Sequence, residues 1–148
     1  MSAETPSVPT PSPAAIMEMA SAFQRSRALL TAFELQVFTV IADDRRRSSE
    51  VAAAVGSDPR ATDRLLNALA AMGLLEKDGE RFDNSAVAAK HLVAGRPGYM
   101  AGLGHTSHLW DRWSALTRCV RSGRPADSSE IGHRDSDWFR PFIAAMHW

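Results

Sequence analysis

Cysteine is almost missing from these 148 residues, Cys119 being the only one. One thiol excludes an internal disulfide and any multi-cysteine zinc or iron–sulfur centre, and such usage fits a reducing, cytoplasmic setting. Excess charge is missing too, since 17 Lys and Arg stand against 17 Asp and Glu. That balance removes the global electrostatic reason to coat a polyanion or an anionic membrane. No apolar run approaches the ~18 to 20 residues that cross a bilayer, and the first residues have neither the basic start nor the apolar stretch of a secretory signal. Catalytic patterns are absent as well. There is no Gly-x-Ser-x-Gly turn and no Ser-His-Asp order, and Gly95, Gly98, Gly102 and Gly104 follow no strand, so they form no phosphate-cradling loop. His105 and His108 share a helix face, but only Asp111 lies near enough in sequence to join them, which leaves a metal site unsupported.

What is present is enough for one domain with a core of its own. Residues 1–15 are rich in Pro, Ser and Thr and read as a disordered leader. From Ile16 to Ala42 there is neither Gly nor Pro, and apolar residues recur at helical spacing around more than one face. A helix pair of that kind fits either burial within one domain or sharing with a second subunit. After the charged loop 43–47, Ser48 is expected to cap a short helix ending at Gly56. Asp58 and Pro59 open a second, whose inward stripe is Ala61, Leu65, Leu69 and Met72, widened by Leu66. Two short strands around Asp78-Gly79 follow, then a helix capped by Asn84, a long helix from about Tyr99 to Arg121, a polar connector and an apolar end from Trp138 to Trp148. Helix, helix and hairpin in this order form a winged helix. The expected fold is all-α with a small β-hairpin wing, with the helical and winged-helix unit at 16–123 and a connector at 124–148.

Winged helices most often bind DNA, so charge must be tested first. Between Asp43 and Asp83 nine acidic residues face seven basic ones. The second helix offers only Arg60 and Arg64 beside Asp58 and Asp63, a poor reader of phosphates, and the run Arg45-Arg46-Arg47 sits next to two aspartates. No nucleic-acid partner is expected. A winged-helix transcription regulator remains the alternative, separable by retention on DNA that falls with salt.

Leu65 to Glu76 (LLNALAAMGLLE), the Asp78-Gly79 turn and Phe82 resemble the winged-helix segment of the plant-type and bacterial O-methyltransferases, the family of the acetylserotonin, hydroxyneurosporene and polyketide-tailoring enzymes. Thr31 to Leu35 with Val37-Phe38 is similar to that family's early helix. Leu109 to Trp113, Leu116, Val120 and Gly123-Arg124-Pro125 look like the helix and turn after the wing, and Phe142 to Met146 like the helix leading into the catalytic domain. The resemblance runs through residues 16 to 148. It implies a winged-helix-like dimerisation domain that intertwines with a second copy as a homodimer and walls part of the acceptor pocket. It also implies that no cofactor binds this stretch. S-adenosylmethionine would belong to a Rossmann-like domain of the complete enzyme, beyond Trp148, and the substrate would be a small hydroxylated aromatic.

By the resemblance, Trp138, Phe142 and Met146, four apart, line the pocket, where aromatic faces and a thioether suit a flat ring and a cationic methyl donor. Leu103, His105 and Leu109 are similar to pocket positions on the preceding helix. The dimer face is expected at Ile16, Met19, Phe23, Leu29 and Phe33. Plain core packing is the competing reading of each apolar set. Glu130, His133, Asp135 and Asp137 read either as a solvated connector or as a rim from which His133 reaches the acceptor's polar group, and Cys119 as a packing thiol.

Overall fold

The computed structural model describes residues 10–126. It is mostly helical, with a small three-stranded antiparallel sheet. Helix α1 spans Pro13–Glu34 and begins three residues before Ile16. The Ser12 hydroxyl accepts from the Ala15 amide at 3.2 Å, and Pro13 takes the first position, where its missing N–H is not needed. Only the far end of α1 is buried, at Leu30, Ala32 and Phe33. The chain then turns at Gln36 (φ 57°), whose side-chain amide donates to the Phe33 carbonyl at 3.0 Å. Helix α2, Val37–Ile41, buries Val37, Phe38 and Ile41.

Strand β1 is Arg46–Arg47, inside the stretch read as a charged loop. It pairs with β3, so the wing has three strands in the order β1-β3-β2 instead of two. Helix α3, Ser48–Val55, starts one residue earlier than expected. Ser48 is its first residue, Arg47 holds the cap position, and the Glu50 carboxylate accepts from the Arg47 amide at 2.6 Å. Helix α4, Pro59–Ala71, has the expected Asp58 cap, accepting from the Ala61 amide at 2.8 Å. Its inward face is rotated from the expected stripe: Thr62, Leu66 and Leu69 are buried, Leu65 and Met72 only partly, and Ala61 is exposed. A polar residue can lead that face because the Thr62 hydroxyl meets the Asp58 carbonyl at 2.8 Å and the Ser57 hydroxyl at 2.6 Å.

Strands β2, Leu75–Asp78, and β3, Arg81–Asn84, pair from Leu75↔Asn84 to Asp78↔Arg81. The turn residues are therefore Gly79-Glu80, one step beyond the expected pair, with Gly79 at φ 58° in the first central position, where glycine has no steric penalty. Asn84 is not a helix cap. Its buried amide donates at 2.9 Å to the carbonyls of both Phe38 and Ala42, and Ser85 caps helix α5, Ala86–His91. The long helix expected from Tyr99 is two: α6, Leu103–Ser114, and α7, Leu116–Ser122. Residues 99–101 stay outside because the Tyr99 ring stacks on Phe33 and the Met100 amide bonds the His91 carbonyl. At Ala115 the amide is shared between the Asp111 and Arg112 carbonyls, each at 3.2 Å, which ends α6. Nothing in the local sequence explains that break.

The core is one cluster. Phe38, Phe82, Ile41, Leu66, Leu69, Val37 and Val51 are fully buried, drawn from α2, α3, α4 and the wing. Each contributes roughly 1.5 to 3 kcal/mol of burial. This centre leaves the N-terminal half of α1 and all of α7 outside the packing.

Candidate functional site: the α1–α6 seam and the exposed face of α1

The first half of α1 projects as a helix with its apolar residues in solvent. Ile16, Met19 and Phe23 are 53, 62 and 54% exposed and sit at spacings of three and four, on one face. Met17 beside them is also exposed. Leu29 is partly buried against the chain's own core, and Phe33 is buried there, its ring stacked on Tyr99 with centroids 5.6 Å apart and planes 9° from parallel. The five residues named for a dimer face thus fall into two environments, three free in solvent and two already packed.

Helix α6 lies along the second half of α1. Leu103 packs against the core, while His105 and Leu109 are half-buried. The seam is polar where the sequence offered no warning. The Arg27 guanidinium lies 5.4 Å over the Trp110 ring and is also paired with the Glu34 carboxylate, whose other oxygen accepts the Ser107 hydroxyl. Arg27 and Glu34 are seven apart, so their sharing a helix face was readable. That Trp110 and Ser107 would meet them was not, because those contacts cross between helices. The seam holds one cation, one carboxylate, an indole and a hydroxyl, groups that can orient and wall a ligand. Trp138, Phe142 and Met146 lie outside the described residues, as do Glu130, His133, Asp135 and Asp137.

Among the described residues no group of three or more His, Cys, Asp or Glu is placed to hold a metal ion. The three strands among those residues all belong to the wing. No helix among the described residues is long and apolar enough to cross a membrane.

The wing is neutralised from within. Arg45 meets Asp78 at 2.8 Å and Asp83 at 3.4 Å, Arg47 meets Glu80 at 3.8 Å, and Arg46 meets Asp44 at 3.6 Å. Arg81 reaches the Arg45 carbonyl at 3.0 Å and Glu50 at 3.9 Å. Lys77 donates to Asn67 on α4 at 2.7 Å and sits 5.2 Å over Phe82. Each exposed pair contributes little stability. Together they leave the basic residues of the strands facing their own carboxylates, where a phosphate would have to displace them. The Glu50 carboxyl is held below its usual range, first by the bond from the Arg47 amide and then by Arg81, Arg47 and Arg46.

Comparison with known proteins gives these surfaces a context. The family model of the O-methyltransferase dimerisation domain matches residues 17–94. The chain is 35% identical over 149 aligned residues to the tetracenomycin polyketide synthesis 8-O-methyl transferase TcmO of Streptomyces glaucescens. That alignment covers 96% of this chain and 44% of the relative, so the chain spans less than half of that protein's length. Among solved structures, an O-methyltransferase family protein from Burkholderia thailandensis superposes with a TM-score of 0.77 at 28% identity, over 93% of this chain and 42% of that one. Human N-acetylserotonin methyltransferase, in complex with SAM, shares the fold at a TM-score of 0.71 and 22% identity, over 88% of this chain and 43% of that one.

Proposed function

We propose, because this chain belongs to the O-methyltransferase dimerisation-domain family, that it pairs with a second copy of itself through the first half of α1 and walls the acceptor pocket of an S-adenosylmethionine-dependent O-methyltransferase of small-molecule metabolism. The exposed face Ile16, Met19 and Phe23 carries this reading. Large apolar side chains at helical spacing, outside the core and within the stretch the family model matches, fit a surface that another chain covers. Leu29 and Phe33 anchor the base of that helix in its own core, so that the projecting half is presented at a fixed angle.

In this reading Leu103, His105 and Leu109 on α6, with Trp138, Phe142 and Met146, form the pocket wall, and the acceptor is a small hydroxylated aromatic. The 8-O-methyl transfer in polyketide synthesis named for TcmO supports that class of acceptor. Methyl transfer is a displacement whose rate depends on alignment and exclusion of water. This chain would supply shape and apolar walls, and the methyl donor and the base would be held by sequence other than that described here. The single cysteine fits a cytoplasmic setting.

The test is the oligomeric state of the chain by multi-angle light scattering. The unmodified protein should run as a dimer, and Phe23→Glu, at an exposed position, should shift it to monomer with unchanged circular dichroism. A stable monomer before substitution would overturn the proposal.

A further inference from the structure

One side of α1 is a single stripe that meets two different environments. Ile16, Ala20, Phe23, Arg27, Leu30 and Glu34 follow one another at steps of four, three, four, three and four, the repeat that keeps one side of a helix against a neighbouring helix. On α6, Leu103, Ser107, Trp110 and Ser114 repeat in the same way. The two stripes meet. Ser107 bonds Glu34, whereas Trp110, one turn further along α6, takes Arg27, two turns earlier on α1. Helix α6 therefore runs antiparallel to α1, and its last residue, Ser114, comes level with about Arg25. Burial follows that limit: every residue from Ile16 to Ser26 is exposed, and none from Arg27 to Phe33 is.

The free part of the stripe is apolar and matches itself. It consists of Ile16, Ala20 and Phe23, with Met17 and Met19 along its two edges, and its charges, Glu18 and Arg25, lie seven apart on the far side. A second copy laid along it thus meets no like charge at the contact. The dimerisation family matched over residues 17–94 supports a second copy as the partner. Two antiparallel registers would set these residues in layers, one with Ile16 over Ala20 of the other chain, and one with Ala20 over Phe23 of the other chain. In the second register Pro13 of the other chain would come level with Leu30, where α6 already sits. In the first it comes level with Phe23, just clear of Ser114.

We infer that the α1 helix of a second copy lies antiparallel on Ile16, Ala20 and Phe23, in line with α6, with the two-fold axis level with Glu18. Ile16 of each chain packs over Ala20 of the other, a large residue on a small one. Met17 and Met19 each meet their own counterpart, because a two-fold axis between the helices keeps each edge on its own side. The end of α6 is the stop that sets the register. The inference rests on the pairing through α1 proposed above and adds its direction and its residue-by-residue match.

Cross-linking of the full chain tests it. With Cys119→Ser as background, Met19→Cys should be joined between chains by a short bismaleimide, its two copies being offset by about 3 Å along the helix axis. Ser26→Cys, on the same edge and also exposed, should not be joined, because its copies are offset by about 24 Å. Two charge substitutions give an independent reading. Ala20→Glu should raise the dissociation constant of the dimer on the order of a hundredfold by burying a charge in the contact, whereas Glu18→Arg, on the far side, should leave it unchanged. Light scattering is read on the same samples. A dimer in which both cysteines link alike, in which neither links, or which tolerates Ala20→Glu would overturn the register while leaving the pairing of two copies intact. A monomer before substitution would overturn the pairing itself and the register with it.

Discussion

Asn84 shows how one side chain can set a local fold that its neighbours in sequence do not announce. Its amide holds the carbonyls of Phe38 and Ala42, both at 2.9 Å, across more than forty residues. Ala42 needs that hold, because at φ 44° and ψ −112° it occupies a conformation that L residues rarely adopt and that costs about 1 to 3 kcal/mol. Two substitutions should therefore act in opposite directions. Asn84→Ala leaves two carbonyls without their shared donor and should lower stability by about 1 to 3 kcal/mol. Ala42→Gly removes the strain and should raise it by about 1 kcal/mol, even against the entropy glycine adds to the unfolded chain. Urea unfolding of both variants measures this, and a destabilised Ala42→Gly would show that the strain is not there. Asn is a common helix cap, so a sequence reader assigns Asn84 to α5. The structure gives that place to Ser85 because the Asn84 backbone is already committed to β3.

At the scale of elements, the start of α3 couples a helix to a sheet. Glu50 accepts the Arg47 amide at 2.6 Å and faces Arg81 of β3 at 3.9 Å, which together lower its pKa from 4.5. A carboxyl lowered on folding stabilises the fold above its unfolded pKa, and that contribution is lost as pH falls through the folded value. The stability difference between the unmodified protein and Glu50→Gln should hence be constant at neutral pH, shrink as pH falls below about 4.5, and vanish in stronger acid. Parallel curves throughout the acid range would show that the bond does not distinguish charged from neutral Glu50. The inward face of α4 teaches a related lesson. Periodicity gave its apolar residues, yet Leu65 and Leu66 are both candidates for the centre of the stripe. The buried face centres on Leu66 and Leu69, and Thr62 can share it because its hydroxyl has two oxygen partners inside.

For the whole molecule, the winged helix raises the question of nucleic acid, and the charges of the described wing bear on it. The arginines and lysine of the wing face carboxylates or Asn67, and α4 adds only Arg60 and Arg64. Retention on a DNA column at low salt should be no greater than that of a neutral globular protein, and a retention that falls steeply with added salt would point to phosphate contacts. The order of helices, the existence of the wing, the Asp58-Pro59 start of α4 and the family itself were legible in the sequence. Each rests on local rules, namely helical spacing, capping chemistry, turn residues and an ordered set of short motifs. What the tertiary structure decided is everything that depends on contacts between distant residues. Arg46–Arg47 becomes a third strand because β3 has a free edge, and Phe33 is drawn inward because Tyr99 returns to stack on it. The seam of Arg27, Glu34, Ser107 and Trp110 forms because α6 lies along α1. Local sequence states which residues are apolar and where helices begin. Which apolar faces are consumed by the chain's own core, and which are left for something else, is fixed only when the helices pack, because burial is a property of the assembled volume and not of the residue.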